Sequence, residues 1–113
     1  MSARHSVDRD LTLLIPTLGR EILRRTLDSV MAGLAWPAQI VIVDQGRKES
    51  IAALAEEVRT RGLDVLYLPS ELTGKSLALN LGIARVSTRF VAITDDDCEV
   101  APDWIVRIGE RLR

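Results

Sequence analysis

LTLLIPTLGREILRRTLDSVMAGLAWPAQIVIVDQG, residues 11–46, reads as one strand–helix–strand unit, and the rest of the chain repeats its pattern. Leu11 to Ile15 is a continuous apolar run closed by Pro16, as expected of a strand buried on both faces. From Glu21 the apolar period changes. Ile22, Leu23, Leu27, Val30, Met31 and Leu34 recur at helical spacing, with Arg24, Arg25 and Asp28 on the other side. Gly33 and Pro37 bracket the end of that helix. Ile40 to Val43 is a second apolar run, stopped by Asp44, Gln45 and Gly46.

Working outward, the cycle continues. Ile51, Leu54, Ala55 and Val58 mark a second helix that ends near Gly62, and Val65 to Leu68 a third strand closed by Pro69. Leu77 to Ala84 reads as a helix and Phe90 to Ile93 as a fourth strand. A last helix starts near Pro102 or Asp103 and carries Trp104, Ile105, Ile108 and Leu112. Proline and an acidic residue both suit a first helical turn. Four strand–helix alternations with short connections predict an α/β domain, an open and mostly parallel sheet with flanking helices. Strand order is not written in the pattern. The polar stretch MSARHSVDRD is expected to be a flexible leader over residues 1–10, with the domain over 11–113.

Composition narrows the function. Fifteen basic and sixteen acidic residues leave a net charge of −1, so no global field favours nucleic acid or an anionic membrane. Cys98 is the single cysteine, which excludes an intrachain disulfide and a thiolate zinc site. The apolar runs are too short to span a bilayer and no signal peptide is read, so a cytoplasmic location is the default expectation. His5 falls in the polar leader and reads as a bystander. Cys98 has no histidine nearby in sequence to activate it, and Trp36 and Trp104 read as helix packing.

Ligands of open parallel sheets bind beyond the carboxyl ends of the strands. Pro16 and Thr17 follow the first strand, Asp44 the second, Gly74, Lys75 and Ser76 the third, and Asp95, Asp96 and Asp97 the fourth. Three adjacent carboxylates repel one another, and a divalent cation would relieve them. Hard oxygen ligands suit magnesium or manganese, which take one or two carboxylates with phosphate oxygens and water. The plainer alternative is a solvated acidic turn that binds nothing. Asp44 is either a carboxylate for a base or ribose, or a loop aspartate bonding its own backbone. PSELTGKS, residues 69–76, ends like a phosphate-binding loop, but Pro69 stands where that motif needs its first glycine. A P-loop-like NTPase is disfavoured on that ground. A phosphoacceptor module is disfavoured because PTLGR, not an acidic pair, follows the first strand.

LLIPTLGREILRRTLDSV, QIVIVDQG, LTGKSLALNLGIA and FVAITDDDCEVAPDW together resemble family 2 glycosyltransferases, from about Leu11 to Trp104. The resemblance implies a GT-A, Rossmann-like half fold and inverting transfer from a nucleotide-diphosphate sugar, UDP or GDP type, to a carbohydrate or lipid-linked acceptor. Pro16 and Thr17 would lie against the base, Asp44 would bind it, and Gly74 and Lys75 would lie near the nucleotide. Asp95 and Asp96 would contact the nucleotide, and Asp97, with Asp96, would hold Mn2+ or Mg2+. After Asp44 the sequence departs from the family pattern, with Gly46, Arg47, Lys48 and Glu49. The sequence also ends one helix after the acidic motif, so it is expected to hold a nucleotide-binding part without the acceptor site or catalytic base. A non-catalytic nucleotide-binding or assembly module is the alternative. An apolar edge or face left uncovered makes a homo-oligomer an expectation.

Overall fold

The computed structural model describes residues 6–113, so His5 lies outside the described residues. The first strand, β1, spans Ser6–Thr17 and starts five residues before the apolar run. Its early part is polar and largely exposed, and it is held by backbone pairing of Ser6, Val7 and Asp8 with Ala35, Trp36 and Pro37. A register shift between Asp8 and Thr12 separates this ribbon from the buried part. Backbone pairing needs no apolar side chain, which is why hydrophobic patterning does not mark Ser6–Asp10. β2, Ala35–Asp44, likewise begins before Ile40.

Helix α1, Leu23–Met31, is shorter than the apolar spacing suggested. Leu34 lies beyond its end, 65% exposed, with its N–H donating to the Pro102 carbonyl. The remaining elements are α2, Glu49–Thr60; β3, Val65–Pro69; α3, Lys75–Ile83; β4, Phe90–Ile93; and α4, Trp104–Leu112.

The four strands form one all-parallel open sheet in the order β3-β2-β1-β4. Alternate residues point to opposite faces. Leu13, Ile15, Ile40 and Ile42 pack beneath α1 and α2, and Leu11 beneath α4 on the same side. Leu14, Val41 and Val43 meet α3 on the other side. All eight of these strand residues are at most 1% exposed. Full burial of such side chains contributes roughly 1.5–3 kcal/mol each. Gly82 lets α3 approach the sheet, since a Cβ there would lie 2.2 Å from a Leu14 methyl. The α3 face is the less covered one, with Leu77, Leu81 and Ile93 each more than 40% exposed.

The chain steps from β1 to β2 to β3, then recrosses under α3 to place β4 on the far side of β1. The winding direction therefore reverses between β1 and β4. Such a reversal opens a crevice at the carboxyl ends of the two strands. Among the described residues no helix is long and apolar enough to cross a membrane.

Candidate functional site

A cleft of about 410 Å³ opens at that reversal, lined by Pro16, Thr17, Leu18 and Arg20 from the β1 end, and by Asp95, Asp96 and Asp97 from the β4 end. Gln45, Gly74 and Lys75 complete it. The volume falls within the range of small-molecule sites. Seven of the eight residues that the family resemblance assigns to the site meet there. Asp44 does not.

The triplet lies just past β4, where the chain turns at Asp96 and Asp97, and burial alternates along it. Asp95 and Asp97 are exposed, whereas Asp96 is 6% exposed at the floor of the cleft. The Thr17 hydroxyl donates to Asp96 Oδ2 at 2.7 Å, and Arg20 forks onto the same carboxylate, Nε to Oδ2 at 3.0 Å and a terminal nitrogen to Oδ1 at 2.5 Å. Burial pushes the Asp96 carboxyl up, but the Arg20 and Thr17 hydrogen bonds outweigh it and hold the group below its ordinary value. The same contact raises the Arg20 guanidinium above its own. Asp96, expected from the sequence beside Asp97 as a metal ligand, thus has its oxygens engaged by protein donors.

The Thr17 hydroxyl has one proton and two acceptor sites. It gives the proton to Asp96 and accepts from the N–H groups of Gly19 at 3.2 Å and Arg20 at 3.3 Å. Its hydrogen-bonding capacity is filled within the protein. Gly19, at φ 85°, turns the chain so that Arg20 points back at the acidic loop. Helix α1 holds that loop further along. Thr26 donates to the Asp96 carbonyl at 2.9 Å, and Ser29 accepts from the Val100 N–H at 3.0 Å.

Repulsion within the triplet is relieved by two cations. Arg20 also reaches Asp97 at 3.4 Å, and Lys75 contacts Asp95 at 3.0 Å. The liganding atoms of Asp95, Asp97 and Cys98 lie within 4.8 Å of one another. Two exposed carboxylates match the one or two that magnesium or manganese takes together with phosphate oxygens and water. Thiol sulfur is a soft ligand and does not suit those ions. Cys98 instead donates to Asp97 Oδ1 at 3.9 Å.

Asp44 is fully buried behind the cleft. Its carboxylate accepts from the Gly46 and Lys48 N–H groups, both at 2.9 Å, and from the Tyr67 hydroxyl at 2.7 Å. Burial and this bond raise the Tyr67 phenol above its ordinary value. Of the two sequence readings, the loop aspartate bonding its own backbone describes the observed contacts. Gly46 must be glycine here, because a Cβ would lie 2.2 Å from the Leu18 carbonyl oxygen.

Three residues of the cleft, Leu18, Arg20 and Gln45, were not marked as site residues by the sequence. Arg20 looks like an ordinary helix-flanking charge. Gln45 donates to the carbonyls of Leu72 at 2.9 Å and Gly74 at 2.8 Å, pinning the loop before α3. Its place directly after a strand was the one available signal. Gly74 is the N-cap of α3 at φ 115° and supplies no side-chain cap. The first N–H groups of α3 are therefore left for another acceptor. That loop turns two carbonyls toward Gln45 instead of gathering N–H groups around a phosphate, unlike a P-loop.

Comparison with known proteins gives a consistent picture. The sequence profile described as "Glycosyl transferase family 2" matches residues 12–113. "Glycosyltransferase GlyA" of Streptococcus pneumoniae is 26% identical over 107 residues, covering 94% of this chain and 15% of that protein. "Succinoglycan biosynthesis protein ExoM" of Rhizobium meliloti is 30% identical, covering 86% of this chain and 33% of that protein. "Glucosyl-dolichyl phosphate glucuronosyltransferase" of Haloferax volcanii is 31% identical, covering 75% and 27% respectively. The alignments thus take in only 15% to 33% of the length of these relatives.

Proposed function

Since this chain belongs to glycosyl transferase family 2, we propose that its cleft binds a nucleotide-diphosphate sugar, of UDP or GDP type, together with Mn2+ or Mg2+. The observation that carries the reading is the pairing across one cleft of two exposed carboxylates, Asp95 and Asp97, with the uncapped N-terminus of α3 and Lys75. Carboxylates suit a divalent cation, and a helix N-terminus with a lysine suits phosphate oxygens.

In this reading Asp95 and Asp97 hold the cation, and Lys75 leaves Asp95 to contact the diphosphate. Pro16, Leu18 and Gln45 border the nucleoside, while Asp44 shapes that border through the Gly46–Lys48 loop. A divalent cation bound there would neutralise charge growing on the diphosphate as it departs. In the complete enzyme, an acceptor hydroxyl, carbohydrate or lipid-linked, would attack the anomeric carbon with inversion. No residue of this chain is assigned as its base.

Calorimetric titration of UDP and GDP, with manganese and then with EDTA, tests the proposal. Metal-dependent binding of one nucleotide, lost in Asp95→Ala/Asp97→Ala, is the expected result. No binding to the folded chain would sink it. Acceptor-dependent transfer would separate an enzyme from a non-catalytic nucleotide-binding module.

A further inference from the structure

Resting on that reading of the cleft, we infer that Arg20 is a positioning residue, a clasp that with Thr17 holds Asp96 out of the metal shell and aims its two neighbours into it. The triplet is chemically uniform, yet the structure divides it. Both Asp96 oxygens meet the Arg20 fork, and the one proton Thr17 can give goes to the same group. Asp95 and Asp97 make only exposed contacts to their cations.

Burial follows the same division: the middle side chain is held inward in the turn, and the two on either side of it are left exposed at the cleft. Thr26 fixes the same residue through its carbonyl, so Asp96 is anchored at backbone and side chain together. A bidentate fork sets the orientation of the carboxylate plane as well as its charge. Lysine at position 20 would keep the charge and lose that orientation.

The test uses the full chain and reads two quantities, thermal midpoint and Mn2+ affinity by electron paramagnetic resonance in the presence of UDP or GDP. Asp95→Asn and Asp97→Asn are expected to lower Mn2+ affinity at least about 100-fold with the midpoint unchanged, as direct ligands would. Asp96→Asn and Arg20→Met should each lower the midpoint and reduce Mn2+ affinity only about 10-fold, the low end for groups that orient metal ligands. The double variant Arg20→Met/Asp96→Asn should lose no more Mn2+ affinity than either single one, because both remove the same clasp. Arg20→Lys should fail to restore the affinity.

Loss of Mn2+ binding in Asp96→Asn as complete as in Asp97→Asn, with the midpoint unchanged, would make Asp96 a ligand and overturn the inference. Additive losses in the double variant would overturn it too. If the wild-type chain binds no Mn2+ with either nucleotide, the proposed function fails, and the thermal coupling of Arg20 with Asp96 decides the clasp alone. A coupled loss upholds it and an additive one removes it.

Discussion

The two sides of the cleft are built differently. On the β1 and β4 side, Thr17, Arg20, Thr26 and Ser29 all bond the acidic loop, and the central carboxylate is buried. On the other side, residues 71–77 are exposed throughout. That segment is tied back by Gln45 and by the Ser70 N–H to the Asp44 carbonyl, and Lys75 reaches only across to Asp95. Charge that must sit at a set distance from a ligand benefits from a rigid support. A cation on a long flexible stem follows a phosphate wherever it lies. The contrast is one of fixed acid and adjustable base.

The contrast breaks first at Asp96. Asp96→Ala strands Arg20 and Thr17 and is expected to cost about 3 kcal/mol, the low end for breaking a buried pair because Arg20 is half exposed. Urea melts would measure it, and a loss under about 1 kcal/mol would mean that this side is not held as described. The same carboxyl gives a pH dependence. Its folded-state pKa is lowered, so its stabilisation is fully present above the ordinary carboxylate value of about 3.9 and is lost as pH falls through the lower one. The stability gap between wild type and Asp96→Ala should therefore stay constant from neutral pH to about pH 5 and shrink below about pH 4.

Much of the fold was legible because apolar side chains announce buried strands and helix faces. Leu11–Ile15, Ile40–Val43 and Phe90–Ile93 all sit in strands. What patterning missed is held by backbone: the Ser6–Asp8 pairing and the first residues of β2. In the site, the meeting of Pro16, Thr17, Gly74, Lys75 and the triplet followed from one rule about strand ends. The crevice itself depends on β4 lying beside β1, and no residue type encodes strand order. The separate duties of Asp44 and Asp96 were hidden for another reason. Asp96 is set by donors far away in sequence, Thr17 and Arg20. For Asp44 the distant Tyr67 hydroxyl joins the local Gly46 and Lys48 N–H groups, so spacing alone did not choose between its two readings.

A smaller effect tests the adjustable side. Gln45→Ala removes two bonds to the loop before α3, with both freed carbonyls close to solvent. The expected cost is about 1 kcal/mol. Faster amide hydrogen exchange should be confined to residues 71–77. Exchange spreading into β1 or the acidic loop would show that the two sides are mechanically one.

Lys75→Ala should have the smallest effect on stability, because its partner Asp95 and its own side chain are both more than half exposed. Exposed pairs contribute about 0–1 kcal/mol, and the midpoint should hardly move. Its effect on ligands should run in opposite directions. Removing the ammonium takes away a cation that competes for Asp95, so Mn2+ alone should bind as well or better. The nucleotide diphosphate loses a phosphate partner and should bind more weakly. Calorimetry with Mn2+ alone and then with nucleotide separates the two. Weaker Mn2+ binding in the variant would mean that Lys75 helps build the acidic site instead of occupying it, and the division between fixed acid and adjustable base would not hold.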